Sequence, residues 1–128
     1  MTEYKIMIVD DDEDLHTLYG LYLQGESFKI VRAFNGKEAL DMVEKEKPDL
    51  IVLDMIMPVM DGEEFFTKLR TEKHIKDVPV IIASVNEKIP PRLYELGNIP
   101  FTLKKPFTMD VLASKIRAAL SLKKQRLA

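Results

Sequence analysis

The run Asp10-Asp11-Asp12 closes the first apolar stretch of this sequence, and Asp54 closes another, Leu50 to Leu53. Ser84 ends a third apolar run, and Lys105 follows a fourth. If these runs are parallel strands of an open α/β sheet, their carboxyl ends share the edge where such sheets bind ligands. Asp10, Asp11 and Asp54 then crowd together, and carboxylates so close raise at least one pKa unless a cation stands among them. A hard divalent ion with oxygen ligands relieves the repulsion. Mg2+ suits the case, because it keeps several waters and takes one or two carboxylates beside phosphate oxygens. Lys105 adds an anion-binding ammonium and Ser84 a hydroxyl donor. Such a set fits phosphoryl transfer to a carboxylate, with Asp54 as the nucleophile.

Alternating strands and helices must position these side chains. Lys5 to Val9 reads as a strand, followed by a helix from Asp12 to about Gln24 with Leu15, Leu18, Tyr19 and Tyr22 at helical spacing and Gly25 as its stop. Phe28 to Phe34 is a second strand with Asn35-Gly36 as its turn, and Gly36 to Glu46 is a helix ended by Pro48. Leu50 to Leu53 is apolar throughout, as in a strand covered on both faces. Asp61 then caps a helix carrying Phe65, Phe66 and Leu69, with Glu64 at the capping-box position. Val78 to Ser84 and Phe101 to Leu103 are the remaining strands. Thr108 caps a last helix, Asp110 to about Lys123, with Val111, Leu112, Ile116, Ala119 and Leu120 facing inward. Pro90-Pro91 leaves only Arg92 to Leu96 before Gly97, so the fourth helix should be short or distorted. The pattern predicts a flavodoxin-like, doubly wound (βα)5 fold with a five-stranded parallel sheet in order 2-1-3-4-5.

The bulk properties agree with one domain over residues 1–128, its core at about 4–122, ending in a short basic tail. A content of 46% hydrophobic and 31% charged residues supplies a real core and a solvated surface. No apolar run approaches the about 20 residues of a membrane span. Ile6 to Val9 runs straight into acid, so no secretory signal is read and a cytoplasmic location is expected. Without cysteine, only histidine and carboxylate side chains remain as metal ligands. A net charge of −2 gives no case for nucleic acid as a direct partner of this domain.

Four motifs in order resemble one family closely: Ile8-Val9-Asp10-Asp11, Asp54 to Gly62, Pro79 to Ser84, and Lys105-Pro106-Phe107. The chain is similar, essentially end to end, to response-regulator receiver domains of two-component signalling. The resemblance implies that Asp54 is the phosphoacceptor, served by a sensor histidine kinase or a phosphotransfer protein. Asp11 and Asp54 would bind Mg2+ directly with the backbone carbonyl of Ile56, while Asp10 acts through water or hydrogen bonding. Lys105 would pair with the carboxylate and then the phosphoryl oxygens, and Ser84 would bind the phosphoryl group and help switch the domain. It implies a signalling role, with limited self-catalysed phosphorylation and dephosphorylation but no metabolic turnover. Output would pass to a downstream protein from a monomer or a phosphorylation-dependent dimer.

Three departures from the family pattern stand out. Val85 replaces a small residue and would narrow access to Asp54. Thr102 stands where an aromatic residue is usual, and Pro90-Pro91 falls where the fourth helix should begin, which predicts an altered output surface. Ile56 and Asn86 occupy positions that help set the phosphoaspartate lifetime in similar domains. An apolar Ile56 predicts slow hydrolysis.

Other readings fit less well. Asp12, Glu13 and Asp14 are a solvated helix start favoured by the macrodipole. A calcium loop counted from Asp10 would put Leu15 and Leu21 where Gly and Glu are needed. A haloacid-dehalogenase-type Asp10/Asp12 pair meets Asp14 where Thr or Val is expected. His16 and His74 read as surface residues, and the methionines after Asp54 as packing. The alternative of a different class is a receiver-fold interaction module that no longer depends on phosphorylation, favoured by Val85, Thr102 and the double proline.

Overall fold

A computed structural model describes residues 3–26, 28–85 and 88–127. Five strands, β1 (Tyr4–Val9), β2 (Phe28–Ala33), β3 (Leu50–Asp54), β4 (Val80–Ser84) and β5 (Thr102–Lys104), form one sheet in order β2-β1-β3-β4-β5. Every pairing is parallel, and the register sets Val9 beside Leu53 and Asp54 beside Ala83. The helices are α1 (Glu13–Leu23), α2 (Gly36–Glu46), α3 (Gly62–Thr71), α4 (Pro91–Leu96) and α5 (Met109–Leu127), with a 3-10 turn at Gln24–Glu26. This is the flavodoxin-like architecture that the alternation predicts. No helix among the described residues is long and apolar enough to cross a membrane.

Alternate residues of each strand face opposite sides of the sheet, and two cores result. Met7, Val9, Ile51, Leu53, Val80 and Ile82 pack with Val43, Phe65, Phe66, Leu69 and Leu93 from α2, α3 and α4. Ile6, Ile8, Leu50, Val52, Ile81 and Ala83 pack with Tyr19, Leu23, Leu112, Ile116 and Ala119 from α1 and α5. Because β1, β3 and β4 are covered on both faces, their sequences are apolar runs rather than alternating ones.

Caps fix where the helices start. Asp12 accepts from the N–H groups of Asp14 and Leu15, Asn35 from Glu38, and Asp61 from Glu64 at 2.9 Å. Thr108 Oγ1 accepts from Val111 N–H. Residues Asp12 to Asp14 are thus the helix start read from the sequence. At its far end α2 stops at Lys47, which takes a left-handed conformation and donates its N–H to the Val43 carbonyl.

Two helix faces differ from expectation. The buried face of α1 is His16, Tyr19, Gly20 and Leu23, whereas Leu18 and Tyr22 are exposed. In α5, Val111 is exposed and Ala113 is buried in its place. Both helices are apolar over a wide arc, so the stripe alone does not select a rotation. Shorter corrections also apply: β4 begins at Val80, β5 is shifted one residue onward, and α5 continues to Leu127. The fourth helix is six residues long with Pro91 in its first turn and Gly97 closing it at φ 90°. Its brevity is what the double proline predicts.

Candidate functional site

Asp10 lies one residue past β1, yet its N–H still donates to the Ala33 carbonyl at 3.1 Å, extending the ladder to β2. Its carboxylate is held twice: Oδ1 accepts from Asp12 N–H at 3.0 Å and Oδ2 from Lys105 Nζ at 2.8 Å. Asp54, the last residue of β3, brings Oδ2 to 3.5 Å from the same ammonium, while its Oδ1 accepts from Ile56 N–H at 3.3 Å. Asp10 is 2% and Asp54 7% exposed, whereas Asp11 is open to solvent.

The loop after β3 folds back tightly. Gly62 donates its N–H to the Met55 carbonyl, and a Cβ at position 62 would lie 2.3 Å from the Asp54 carbonyl oxygen. Only a residue without a side chain lets α3 start this close to the end of β3.

Ligand oxygens from Asp10, Asp11 and Asp54 all lie within 4.8 Å of one another. Burial pushes the Asp54 carboxyl above its ordinary range; Lys105 opposes this shift and Asp10 adds to it. Burial works against the Lys105 ammonium, but its bond to Asp10 and the charges of Asp10 and Asp54 leave its pKa raised. One ammonium therefore leaves a surplus of negative charge in a largely buried place. An all-oxygen donor set with surplus negative charge fits a hard divalent cation such as Mg2+.

The remaining predicted positions take different places. Ser84 is buried at the end of β4, and its carbonyl accepts the Lys105 N–H at 2.8 Å. Ile56 and Thr102 are exposed. Asn86 lies outside the described residues. Val85 is 56% exposed and lines a cavity of about 330 Å3 with Asp12, Leu15, Lys105, Pro106, Phe107 and Met109. It forms one wall of an open hollow beside Lys105. A larger cavity of about 600 Å3, by Asp77, Pro79 and Asn98, lies at the other end of β4, far from the carboxylates.

Two residues escaped the sequence reading. His16, whose polar type and helical position predict a surface residue, is 1% exposed, with Nε2 2.7 Å from the Asp10 carbonyl oxygen. Its spacing from Tyr19 and Leu23, three and seven residues on, fits a buried face but does not single that face out from the one carrying Leu15, Leu18 and Tyr22. Arg70 in α3 is 2% exposed and donates to the carbonyls of Ile75, Gly97 and Asn98. Its guanidinium stands 4.7 Å over the Phe66 ring, and burial lowers its pKa to about 10.

Known proteins share this fold and are similar in sequence. The family model of the response regulator receiver domain matches residues 6–117. The alkaline phosphatase synthesis transcriptional regulatory protein PhoP of Bacillus subtilis is 35% identical over 116 residues, covering 91% of this chain and 48% of that protein. The chain spans about half the length of the curated relatives it matches. Among solved structures, the signal receiver domain of a LuxO repressor protein from Vibrio parahaemolyticus superposes with a TM-score of 0.86 at 27% identity, over 98% of this chain and 95% of that one. The response regulator TrrA of Thermotoga maritima, solved in complex with Mg2+-BeF, gives 0.78 at 28% identity, over 91% and 98%. A match running from β1 well into α5, on a sheet of this strand order, means that the chain belongs to the response regulator receiver domains, the signalling domains of two-component systems.

Proposed function

We propose that the chain is a single receiver unit that works as a phosphorylation switch with Asp54 as phosphoacceptor. The observation that carries this reading is Lys105 Nζ standing between Asp10 Oδ2 and Asp54 Oδ2, at 2.8 and 3.5 Å. A carboxylate oxygen of Asp54 attacks the phosphorus of a phosphohistidine on a sensor kinase or phosphotransfer protein. The O–P bond forms, the N–P bond breaks, and the leaving imidazole nitrogen takes up a proton from solvent. Asp10, Asp11 and Asp54, with the Ile56 carbonyl, would hold Mg2+, which supplies positive charge for the phosphoryl oxygens. Lys105 holds a phosphoryl oxygen by charge and hydrogen bonding, and the Ser84 hydroxyl serves as a further donor. Water later attacks the phosphorus, the Asp54 O–P bond breaks, and inorganic phosphate leaves as the carboxylate is restored.

Phosphorylation then shifts the population of the surface formed by α4, β5 and α5, which a downstream protein reads. The site of action is the cytoplasm, as monomer or phosphorylation-dependent dimer. Thr102 on β5 favours the alternative of a phosphorylation-independent interaction module, since no aromatic side chain occupies that position to couple site and surface. Beryllofluoride with Mg2+ separates the two. Amide shifts at Asp54, Ser84 and Lys105 that spread to α4 and β5 support the switch; an unchanged spectrum refutes it.

A further inference from the structure

We infer that His16 is a positioning residue for the acidic site, holding the Asp10 carbonyl so that the Asp10–Asp11 turn presents its carboxylates to a cation. The inference rests on the Mg2+-binding reading above. β1 ends at Val9, so the Asp10 carbonyl lies past the last strand residue. Its oxygen is buried with its residue, and a buried carbonyl left unpaired is costly. His16, six residues on and one turn into α1, brings Nε2 to 2.7 Å from that oxygen. A carbonyl can only accept, so Nε2 carries the hydrogen.

With this bond every polar group of Asp10 has a partner. The N–H donates to Ala33, the carbonyl accepts from His16, Oδ1 accepts from Asp12 and Oδ2 from Lys105. The carbonyl that His16 holds belongs to the peptide that also carries the Asp11 N–H. Fixing that plane fixes the place of the Asp11 Cα and removes one of the rotations that decide where its side chain points. Asp11 is the solvent-exposed member of the carboxylate trio, so backbone direction matters most for it.

The ring is held in turn. Its centroid lies 4.5 Å from that of Phe34, and Tyr19 meets it edge-on at 6.3 Å. Nδ1 is buried with no hydrogen-bond partner among the described residues. A hydrogen there would be a stranded donor, which favours the tautomer with hydrogen on Nε2 alone. That preference keeps the donor aimed at Asp10.

The test compares the full chain with His16→Leu, which removes the donor, and His16→Gln, whose amide nitrogen reaches the place of Nε2. Mg2+ titrations followed by amide resonances should show Kd raised about tenfold in the Leu variant, at the low end for residues that orient metal ligands, and restored to within about twofold by Gln. Thermal unfolding separates this from general damage: a Leu variant that melts earlier yet binds Mg2+ like the parent overturns the inference. So does a Gln variant no better than Leu. The ring also reports directly, because long-range 1H–15N correlations of the parent should place the hydrogen on Nε2, and hydrogen on Nδ1 alone would overturn the assignment even if the Leu variant failed to fold. A parent chain that takes up no Mg2+ sinks the site reading together with this inference, whereas Mg2+ binding unaffected by either substitution sinks only the role of His16.

Discussion

Gly62 and Asp54 meet backbone to backbone: a Cβ at position 62 would come within 2.3 Å of the Asp54 carbonyl oxygen. The start of α3 and the end of β3 therefore share one constraint. A Gly62→Ala chain must push its third helix away from the strand that carries Asp54. The expected cost is about 1–3 kcal/mol of stability, the usual range for overpacking, together with weaker Mg2+ binding. Urea unfolding and Mg2+ titration check it, and a variant equal to the parent in both would refute the close-contact argument.

Asp54→Asn should make the Mg2+-free protein melt at a higher temperature at neutral pH. The Asp54 pKa is raised in the folded state, chiefly by burial. A raised pKa means that folding favours the protonated acid. Its contribution to stability is present below the ordinary carboxylate value and is lost as pH rises through the folded value. The parent carries that penalty at pH 7 and Asn does not, so the gain should shrink as pH falls toward the ordinary value of 3.8. Added Mg2+ should raise the melting temperature of the parent more than that of the variant. Calorimetric scans at several pH values, with and without Mg2+, decide the matter.

Arg70→Leu should destabilise the fold by about 2 kcal/mol or more, since the partly buried carbonyls of Ile75 and Gly97 lose their donor at about 1–3 kcal/mol each, while that of Asn98 still accepts from Val80 N–H. The carbonyls of Ile75, Gly97 and Asn98 all receive hydrogen bonds from this guanidinium. Arg70→Lys should recover little, because one ammonium does not reproduce the planar fork. Equilibrium unfolding in urea measures both, and a loss within error for Leu would contradict the assignment.

With Asp54 as the proposed phosphoacceptor, phosphorylated protein should persist for minutes in Mg2+, because the apolar Ile56 two residues on would offer no group to guide water. Ile56→Asn should shorten that lifetime severalfold while leaving phosphorylation itself possible. Release of labelled phosphate gives both rates. Decay of the parent within seconds would defeat this reading of Ile56.

The sheet was legible because its apolar runs are short and are followed by Asp, Ser, Asn-Gly or Pro, residues with a local reason to stop a strand or start a helix. The rotation of α1 was not. Leu15, Leu18, Leu21 and Tyr22 offer as good an apolar stripe as the one adopted, and the face that turned inward carries a histidine and a glycine. What selects it is tertiary: Tyr19 and Leu23 pack into the core, and His16 bonds to the Asp10 carbonyl. Arg70 was hidden for a similar reason. A charged residue late in a helix reads as solvated, and only the folded backbone at Ile75, Gly97 and Asn98 gives it carbonyls to satisfy. Asp10, Asp11, Asp54 and Lys105 came together as their strand-end positions require, since parallel strands bring distant sequence positions to one edge.

The brevity of α4 has its own consequence. Six residues make fewer than two turns, far below the length at which an isolated helix holds together in water. Leu93 in the core and the Arg92–Glu63 ion pair keep it in place, so its shape is borrowed from its neighbours. A segment with so little persistence of its own is inexpensive to remake, and a binding partner can mould that side of the molecule against only a small conformational penalty.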